Sequence, residues 1–199
     1  MMTYNPAALA RFVFFAVLAA WVAFAGLFIF YKQPSKGKNR ARDPISVAGL
    51  ALQMVGYFFV FNFARTYYSP IFPMPPAAAI AVAIVTVAIA FGSVWFCLLA
   101  IRALGKQWAL IARVMEGHEL VMRGPYGIVR NPIYLGMFGI LVATGLAVSR
   151  WQAFLVGVIL FLVGTELRIR SEEKLLRPAF GEKFDEYARR VPAFFPRVF

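Results

Sequence analysis

His118-Glu119-Leu120-Val121-Met122-Arg123-Gly124-Pro125-Tyr126-Gly127-Ile128-Val129-Arg130-Asn131-Pro132-Ile133-Tyr134-Leu135-Gly136 runs without a break from polar loop into apolar segment. Gly124-Pro125-Tyr126-Gly127 is a turn signature. Pro132 biases Asn131 away from helical backbone and marks the start of a helix. The stretch 118–131 therefore reads as a structured loop that leads straight to a bilayer surface. An apolar hairpin follows it and ends on Arg168-Ile169-Arg170-Ser171-Glu172-Glu173.

The rest of the chain agrees with a bilayer setting. Of its 199 residues, 61% are hydrophobic and only 15% charged, with a mean hydropathy of +0.71. Soluble domains carry about 45–50% apolar and about 25% charged residues. An all-α integral membrane protein is expected, with five transmembrane helices at 12–31, 45–64, 77–101, 133–149 and 151–167. The first three reach the ~20 residues that cross ~30 Å of hydrocarbon. The last two are shorter and separated by little more than Arg150, so they predict a tight helical hairpin.

Charge then predicts the topology. Lys32, Lys36, Lys38, Arg40 and Arg42 lie between segments one and two, and Arg102, Lys106, Arg113, Arg123 and Arg130 between three and four. Arg168, Arg170, Lys174, Arg177, Lys183, Arg189, Arg190 and Arg197 follow segment five. Only Arg11, Arg65 and Arg150 fall on the other side. The positive-inside rule places the N-terminus outside and the C-terminus in the cytoplasm. The net charge of +12 needs no nucleic acid to explain it, because these residues flank membrane segments and suit anionic headgroups. Cys97, the single cysteine, sits inside segment three and reads as a small apolar filler. Ala23-Phe24-Ala25 has the look of a leader-cleavage site, but the apolar run continues past it and is longer than such leaders carry, so a retained helix is expected.

Two regions result: a three-helix membrane part, 1–101, and a part carrying the polar residues, 102–199. The second divides into a cytoplasmic loop 102–132, the hairpin 133–167 and a tail 168–199. In the tail, Glu172, Leu175, Leu176, Phe180, Phe184 and Tyr187 fit an amphipathic pattern, with Gly181 as a break between two short helices. Glycines 136, 139, 145, 157 and 164 would let segments four and five approach closely.

Polar groups this near a bilayer are costly unless paired, so they are candidates for function. Arg168 and Glu172 stand four apart on one helix face, with Glu173 beside them. Plainer uses exist for each: an intrahelical ion pair for Arg168 and Glu172, a loop hydrogen bond for His118, interfacial anchoring for Tyr126 and Tyr134, and a helix-start signal for Asn131-Pro132. One His and one Cys cannot supply a usual set of metal ligands, so no metal site is expected. There is no Gly-x-Ser-x-Gly, no P-loop and no dinucleotide glycine motif after a strand.

Taken together, H-x-L-V at 118–121, G-P-Y at 124–126, V-R-x-P-x-Y-x-G at 129–136, R-x-x-x-E-E at 168–173 and the run Phe180-Gly181 to Val191-Pro192 resemble the isoprenylcysteine carboxyl methyltransferases. These belong to a wider group that includes phospholipid N-methyltransferases. The resemblance covers about residues 102–196. It implies S-adenosyl-L-methionine as cofactor, bound on the cytoplasmic face between the loop and the tail. It implies a lipid or prenylated small-molecule or peptide substrate that enters from the membrane. Carried over by position, His118, Glu119, Leu120, Val121, Tyr126, Asn131, Pro132, Ile133, Tyr134 and Glu172 would form the cofactor site. Arg168 would face the acceptor group, and Glu173 would serve an amine acceptor. Aromatic faces suit a sulfonium, and an arginine fork suits a carboxylate.

Two departures stand out. The family usually has histidine where this chain has Asn131, and an amide cannot carry a positive charge. The family's glutamine shortly before the H-x-L-V histidine has no clear counterpart, Gln107 being out of register. Carboxyl O-methylation is the activity the resemblance implies, with aminophospholipid N-methylation as its neighbour. An NADPH-dependent sterol or enone reductase and an inactive lipid-binding protein are the alternatives.

Overall fold

The computed structural model describes residues 5–31, 43–65, 69–105 and 120–196. Among them are six α-helices: α1 Pro6–Phe30, α2 Pro44–Asn62, α3 Pro76–Leu104, α4 Pro132–Val148, α5 Trp151–Phe180 and α6 Glu182–Arg190. A 3-10 turn, Gly124–Gly127, precedes α4, and no strand is assigned among the described residues. Four of the helices open on proline, whose missing N–H and fixed φ suit the first helical turn. Asn5 and Asp43 cap the first two by accepting from Ala8 N and Ile45 N, each at 3.1 Å.

Helices α1, α2, α3 and α5 are long and apolar enough to cross a membrane. Helix α4 is apolar but has 17 residues, roughly 25 Å at 1.5 Å per residue.

The packing differs from the expected hairpin. Ser149 and Arg150 do join α4 directly to α5, yet α5 packs chiefly along α2, and α4 along α3. The glycines explain this. A Cβ built on Gly49 would lie 2.6 Å from the Gly164 carbonyl oxygen, and one on Gly56 would lie 2.8 Å from that of Gly157. The converse distances are 2.5 and 2.8 Å. Two glycines seven residues apart on each helix thus bring α2 and α5 backbone to backbone, as small residues do in membranes. Gly136 faces Cys97 and Gly139 faces Ser93, both on α3. Only Gly145, against Phe154, serves the contact of segment four with segment five.

The tail also departs from expectation. The stretch 168–180 is no separate short helix; α5 continues through it to Phe180. The break falls at Gly181 as expected, where φ is 53°, a conformation glycine adopts readily. Helix α6 then folds back and buries Phe184 and Tyr187.

At the far end of the bundle, Arg65 closes the end of α4. Its guanidinium donates to the carbonyls of Ser149 at 2.5 Å, Ala147 at 2.8 Å and Leu146 at 3.0 Å. A cation on the last carbonyls of a helix satisfies orphan acceptors and offsets the dipole. An isolated antiparallel bridge, Ala64 to Ser149, ties the two turns together. A cavity of about 240 Å³ lies nearby, lined by Phe14, Trp21, Phe61, Arg65 and Thr144 among others. It contains none of the residues singled out for chemistry.

Candidate functional site

The opposite end gathers those residues. A cleft of about 90 Å³ is lined by Leu104 from the end of α3, Leu120, Val121, Tyr126, Arg130 and Asn131 from the loop, Glu172, Glu173 and Leu176 from α5, and Phe184 and Tyr187 from α6. Six of the twelve sequence candidates are in this wall: Leu120, Val121, Tyr126, Asn131, Glu172 and Glu173. Pro132, Ile133, Tyr134 and Arg168 do not line it. His118 and Glu119 lie outside the described residues, as does Gln107. The volume is below the ~300–1,000 Å³ of a typical ligand pocket.

The loop is fixed by the tail. Arg130 donates from Nη2 to Glu173 Oε1 at 2.5 Å and from Nη1 to the carbonyls of Ala188, at 2.9 Å, and Val191. Backbone N–H groups of Arg130 and Asn131 donate to Pro192 O at 2.8 Å and Ala193 O at 3.1 Å. The Asn131 side chain adds a bond from Nδ2 to Ala193 O, at 2.8 Å. Asn131 thus spends its donor on the segment after α6, while its residue still borders the cleft. The Tyr187 hydroxyl donates to Tyr126 O at 2.6 Å. Burial pushes the Tyr187 phenol up to about 12, and burial with the nearby Glu172 pushes Tyr126 well above the usual tyrosine range. Both are neutral donors at ordinary pH.

Glu173 is tied down on two sides. Besides Arg130, Arg177 approaches it at 3.5 Å and also pairs with Asp185 of α6. Side-chain exposures of 12% for Arg130 and 19% for Glu173 put their pair out of most solvent, unlike the surface pair of Arg170 and Glu166. The structure gives Glu173 a definite task, holding loop, α5 and α6 together.

Glu172 has different company. It accepts from the Tyr134 hydroxyl, which reaches it from α4. The Arg168 guanidinium carbon lies 4.6 Å from the centre of the Tyr134 ring. Arg168 is 2% exposed and donates from Nη1 to Gln53 Oε1 at 2.9 Å. Gln53, wholly buried on α2, donates in turn to Thr165 Oγ1 at 2.8 Å. A buried polar chain therefore runs from Thr165 through Gln53, Arg168 and Tyr134 to Glu172 and the cleft. Nearby, Asp43 accepts from Ser171 at 2.6 Å, which holds its carboxyl below the ordinary range and ties the start of α2 to α5.

The sequence reading missed Gln53, Thr165 and Tyr187 as members of this assembly, and gave Arg130, a topology charge and part of the V-R-x-P motif, no role in the site. Gln53 and Thr165 carried a usable signal, since each is a polar residue inside an apolar segment.

The fold and the cleft define a class: a membrane-embedded helical bundle with a polar, partly enclosed site where loop, α5 and α6 meet at one end. The sequence pattern of the phospholipid methyltransferases matches residues 79–183, more than half of the chain. The chain belongs to the phospholipid methyltransferase family. The matched stretch opens inside α3, further towards the N-terminus than the motifs alone indicated, and it includes every described candidate residue. It leaves out α2 and Gln53.

The chain is similar to the nickel-cobalt-cadmium resistance protein NccN of Alcaligenes xylosoxydans xylosoxydans, 39% identical over 95 residues, which is 47% of this chain and 44% of the relative. The cobalt-zinc-cadmium resistance protein CzcN of Cupriavidus metallidurans is 37% identical over 100 residues, 49% of this chain and 45% of that one. Protein-S-isoprenylcysteine O-methyltransferase B of Arabidopsis thaliana is 33% identical over 102 residues, 50% of this chain and 51% of its own length. The chain spans about half the length of the curated relatives it matches.

Proposed function

We propose that this protein is an S-adenosylmethionine-dependent methyltransferase that methylates the carboxylate of an isoprenylcysteine-like lipid. The observation that carries this is Glu172, a carboxylate fixed by Tyr134 and opening into a cleft walled by Tyr126, Leu120, Val121 and Phe184. Those residues fit the cofactor chemically. Glu172 offers an acceptor for hydroxyl or ammonium groups, charge-assisted in the second case, and Tyr126 offers an aromatic face to a cation. Bound S-adenosylmethionine would supply an electrophilic methyl group. By position in the family pattern, His118, Glu119, Asn131, Pro132, Ile133 and Tyr134 belong to the same site.

The acceptor side follows from Arg168. A carboxylate is already ionised and needs no general base. It needs orientation and loss of its water shell. In this reading Arg168, buried on α5 with the Tyr134 ring against its guanidinium, is the residue that would orient the carboxylate. In this reading 102–199 carries the chemistry, all five apolar helices cross the bilayer, and the cleft faces the cytoplasm, as the clustered Lys and Arg support.

Aminophospholipid N-methylation is the second reading, favoured by the family match. It would need Glu173 to serve the amine, and Glu173 is engaged by Arg130 and Arg177. Two relatives are named for resistance to metals. A cluster of ligating side chains would bring that chemistry here, and among the described residues none gathers.

Calorimetric titration of the detergent-purified protein with S-adenosylhomocysteine, with NADPH as comparator, tests the cofactor. Saturable micromolar binding of the first alone is expected. Binding of NADPH alone would replace the proposal with a reductase. Transfer of labelled methyl to an S-farnesyl cysteine, and not to phosphatidylethanolamine vesicles, is the expected result for the acceptor; the reverse would establish N-methylation.

A further inference from the structure

The cavity at the far end of the bundle has the shape of a slot. Ala10, Phe14, Val17, Leu18 and Trp21 line it from α1, three or four residues apart on one face. From Ala10 to Trp21 this wall runs about 16 Å along the helix, at 1.5 Å per residue. Thr144, Ala147 and Val148 of α4 form a second side. Phe61, at the end of α2, and Ala64 and Arg65, just after it, form a third. Helix α1 packs along α3 and α4 but not along α2, so the slot occupies the gap between α1 and α2. Its rim residues Leu18 and Phe61 are about half exposed, at 47% and 46%. Both belong to helices apolar enough to cross a membrane, so the gap opens to hydrocarbon and not to water.

The two ends of the slot differ. Trp21 closes the end nearer the bundle centre. Its Nε1 donates to Thr144 Oγ1 at 2.9 Å, and its ring stands 5.3 and 5.5 Å, centre to centre, from Tyr57 and Phe61. Arg65 stands at the other end, against the last carbonyls of α4. A helix terminus offsets about half an elementary charge, and no acid is placed to offset the rest. The chain has no Asp or Glu before Asp43, between Asp43 and Glu116, or between Glu119 and Glu166. Burial alone shifts Arg65, down to about 10, so it is a cation at neutral pH.

We propose that this slot seats one acyl chain of an anionic phospholipid, with the lipid phosphate beside Arg65. The lipid belongs to the leaflet opposite the cleft, so the site is separate from the residues assigned to cofactor and acceptor and does not rest on the methyltransferase reading. Length and apolar walls suit an extended chain. The 240 Å³ of the cavity equals about eight water-sized groups of ~30 Å³ each, far more than a packed interior leaves empty. The cation lies at the end of the slot nearest the membrane surface, which is where a headgroup phosphate lies. A chain in a bilayer is already out of water, so transfer from water adds little. The tail is held by dispersion contacts with walls that would otherwise face a void, and the head by the arginine's charge.

The test uses the full-length protein, stripped of lipid in detergent and then given equal amounts of phosphatidylglycerol and phosphatidylcholine with the same chains. Native mass spectrometry counts the lipids retained, and the thermal midpoint follows the stabilisation. One phosphatidylglycerol per chain is expected, favoured about 5-fold over phosphatidylcholine, the scale of one cation near an anionic headgroup. Excess phosphatidylglycerol is expected to raise the midpoint. Ala147→Leu and Ala10→Leu fill the slot from α4 and from α1. Each is expected to abolish that retention and the midpoint rise; should one fail to fold, the other decides. Arg65→Lys is expected to keep the preference for phosphatidylglycerol, and Arg65→Gln to lose it.

Equal retention of the two lipids by the parent, or of neither, would overturn the proposal. Undiminished retention in the filled variants would do the same, by putting the lipid elsewhere on the surface. Displacement of phosphatidylglycerol by S-farnesyl cysteine would make the slot a seat for the acceptor's chain and would also overturn it.

Discussion

Replacing Gly49 with alanine should part α2 from α5 at the point where the site is built. The added Cβ would stand 2.6 Å from the Gly164 carbonyl oxygen and 2.7 Å from Arg168 Cγ, and the first of these is a backbone atom that cannot swing away. Ordinary contact begins near 3.4 Å, so the helices must separate or shear by several tenths of an ångström. Overpacking of this kind costs about 1–3 kcal/mol. Alanine also gains about 0.5–1 kcal/mol of helix preference over glycine, which would blur a measurement on one variant. Gly92, in α3, supplies the control, because a Cβ there meets nothing within 4 Å. The preference gain is common to both substitutions, so their difference isolates the clash. For a protein of this size, about 1–3 kcal/mol corresponds to roughly 2–12 °C in midpoint. Thermal unfolding in one detergent, followed by circular dichroism, should place Gly49→Ala below Gly92→Ala by that amount. Gly92→Ala should match or exceed the parent. Equal midpoints for the two variants would refute the close approach of α2 and α5.

Other substitutions separate the parts of the site. Glu172→Ala should lose S-adenosylhomocysteine binding by about 10- to 100-fold or more, the worth of charge-assisted hydrogen bonds, while Arg168→Ala should keep that binding and lose methyl transfer; titration and a labelled-methyl assay on the same preparations decide it. Asn131→His should fold and bind cofactor at least as well as the parent, because a ring N–H can replace the amide donor to Ala193 O; loss of the folded state would show that the position tolerates only the amide. Tyr187→Phe should cost about 1 kcal/mol through the lost bond to Tyr126 O. Since Tyr187 is raised to about 12 in the fold, its stabilising effect should be complete below the free phenol's ~10 and should be lost as pH rises through about 12. Alkaline unfolding monitored by tyrosine absorbance should show that step in the parent and lack it in Tyr187→Phe.

Much of this architecture was legible from the chain. Long apolar runs must become helices in a bilayer, because hydrocarbon offers no partner for a bare backbone. The prolines at 6, 44, 76 and 132 stand at helix starts for a reason local to each. The motif at 118–136 and the pair Glu172-Glu173 mark a polar assembly by their cost near the membrane. What could not be read was which apolar faces meet. Glycines 157 and 164 were visible, but their partners Gly49 and Gly56 sit more than ninety residues away. Nothing local pairs α5 with α2 rather than with its neighbour α4.

The sequence by itself determined that this is a helical membrane protein of the phospholipid methyltransferase family, with its polar residues gathered around the loop before α4 and the end of α5. Hydropathy, helix-start signals and motif order are local properties, and each survives whatever the helices do next. Only the tertiary structure decided that Glu173 is held by Arg130 and Arg177 while Glu172 accepts from the Tyr134 hydroxyl, though the two are adjacent in the chain. Successive residues on a helix point about 100° apart, so neighbours in sequence meet different partners. The same holds for Gln53: its amide becomes part of the site only because four glycines let α2 and α5 come close enough for it to reach Arg168.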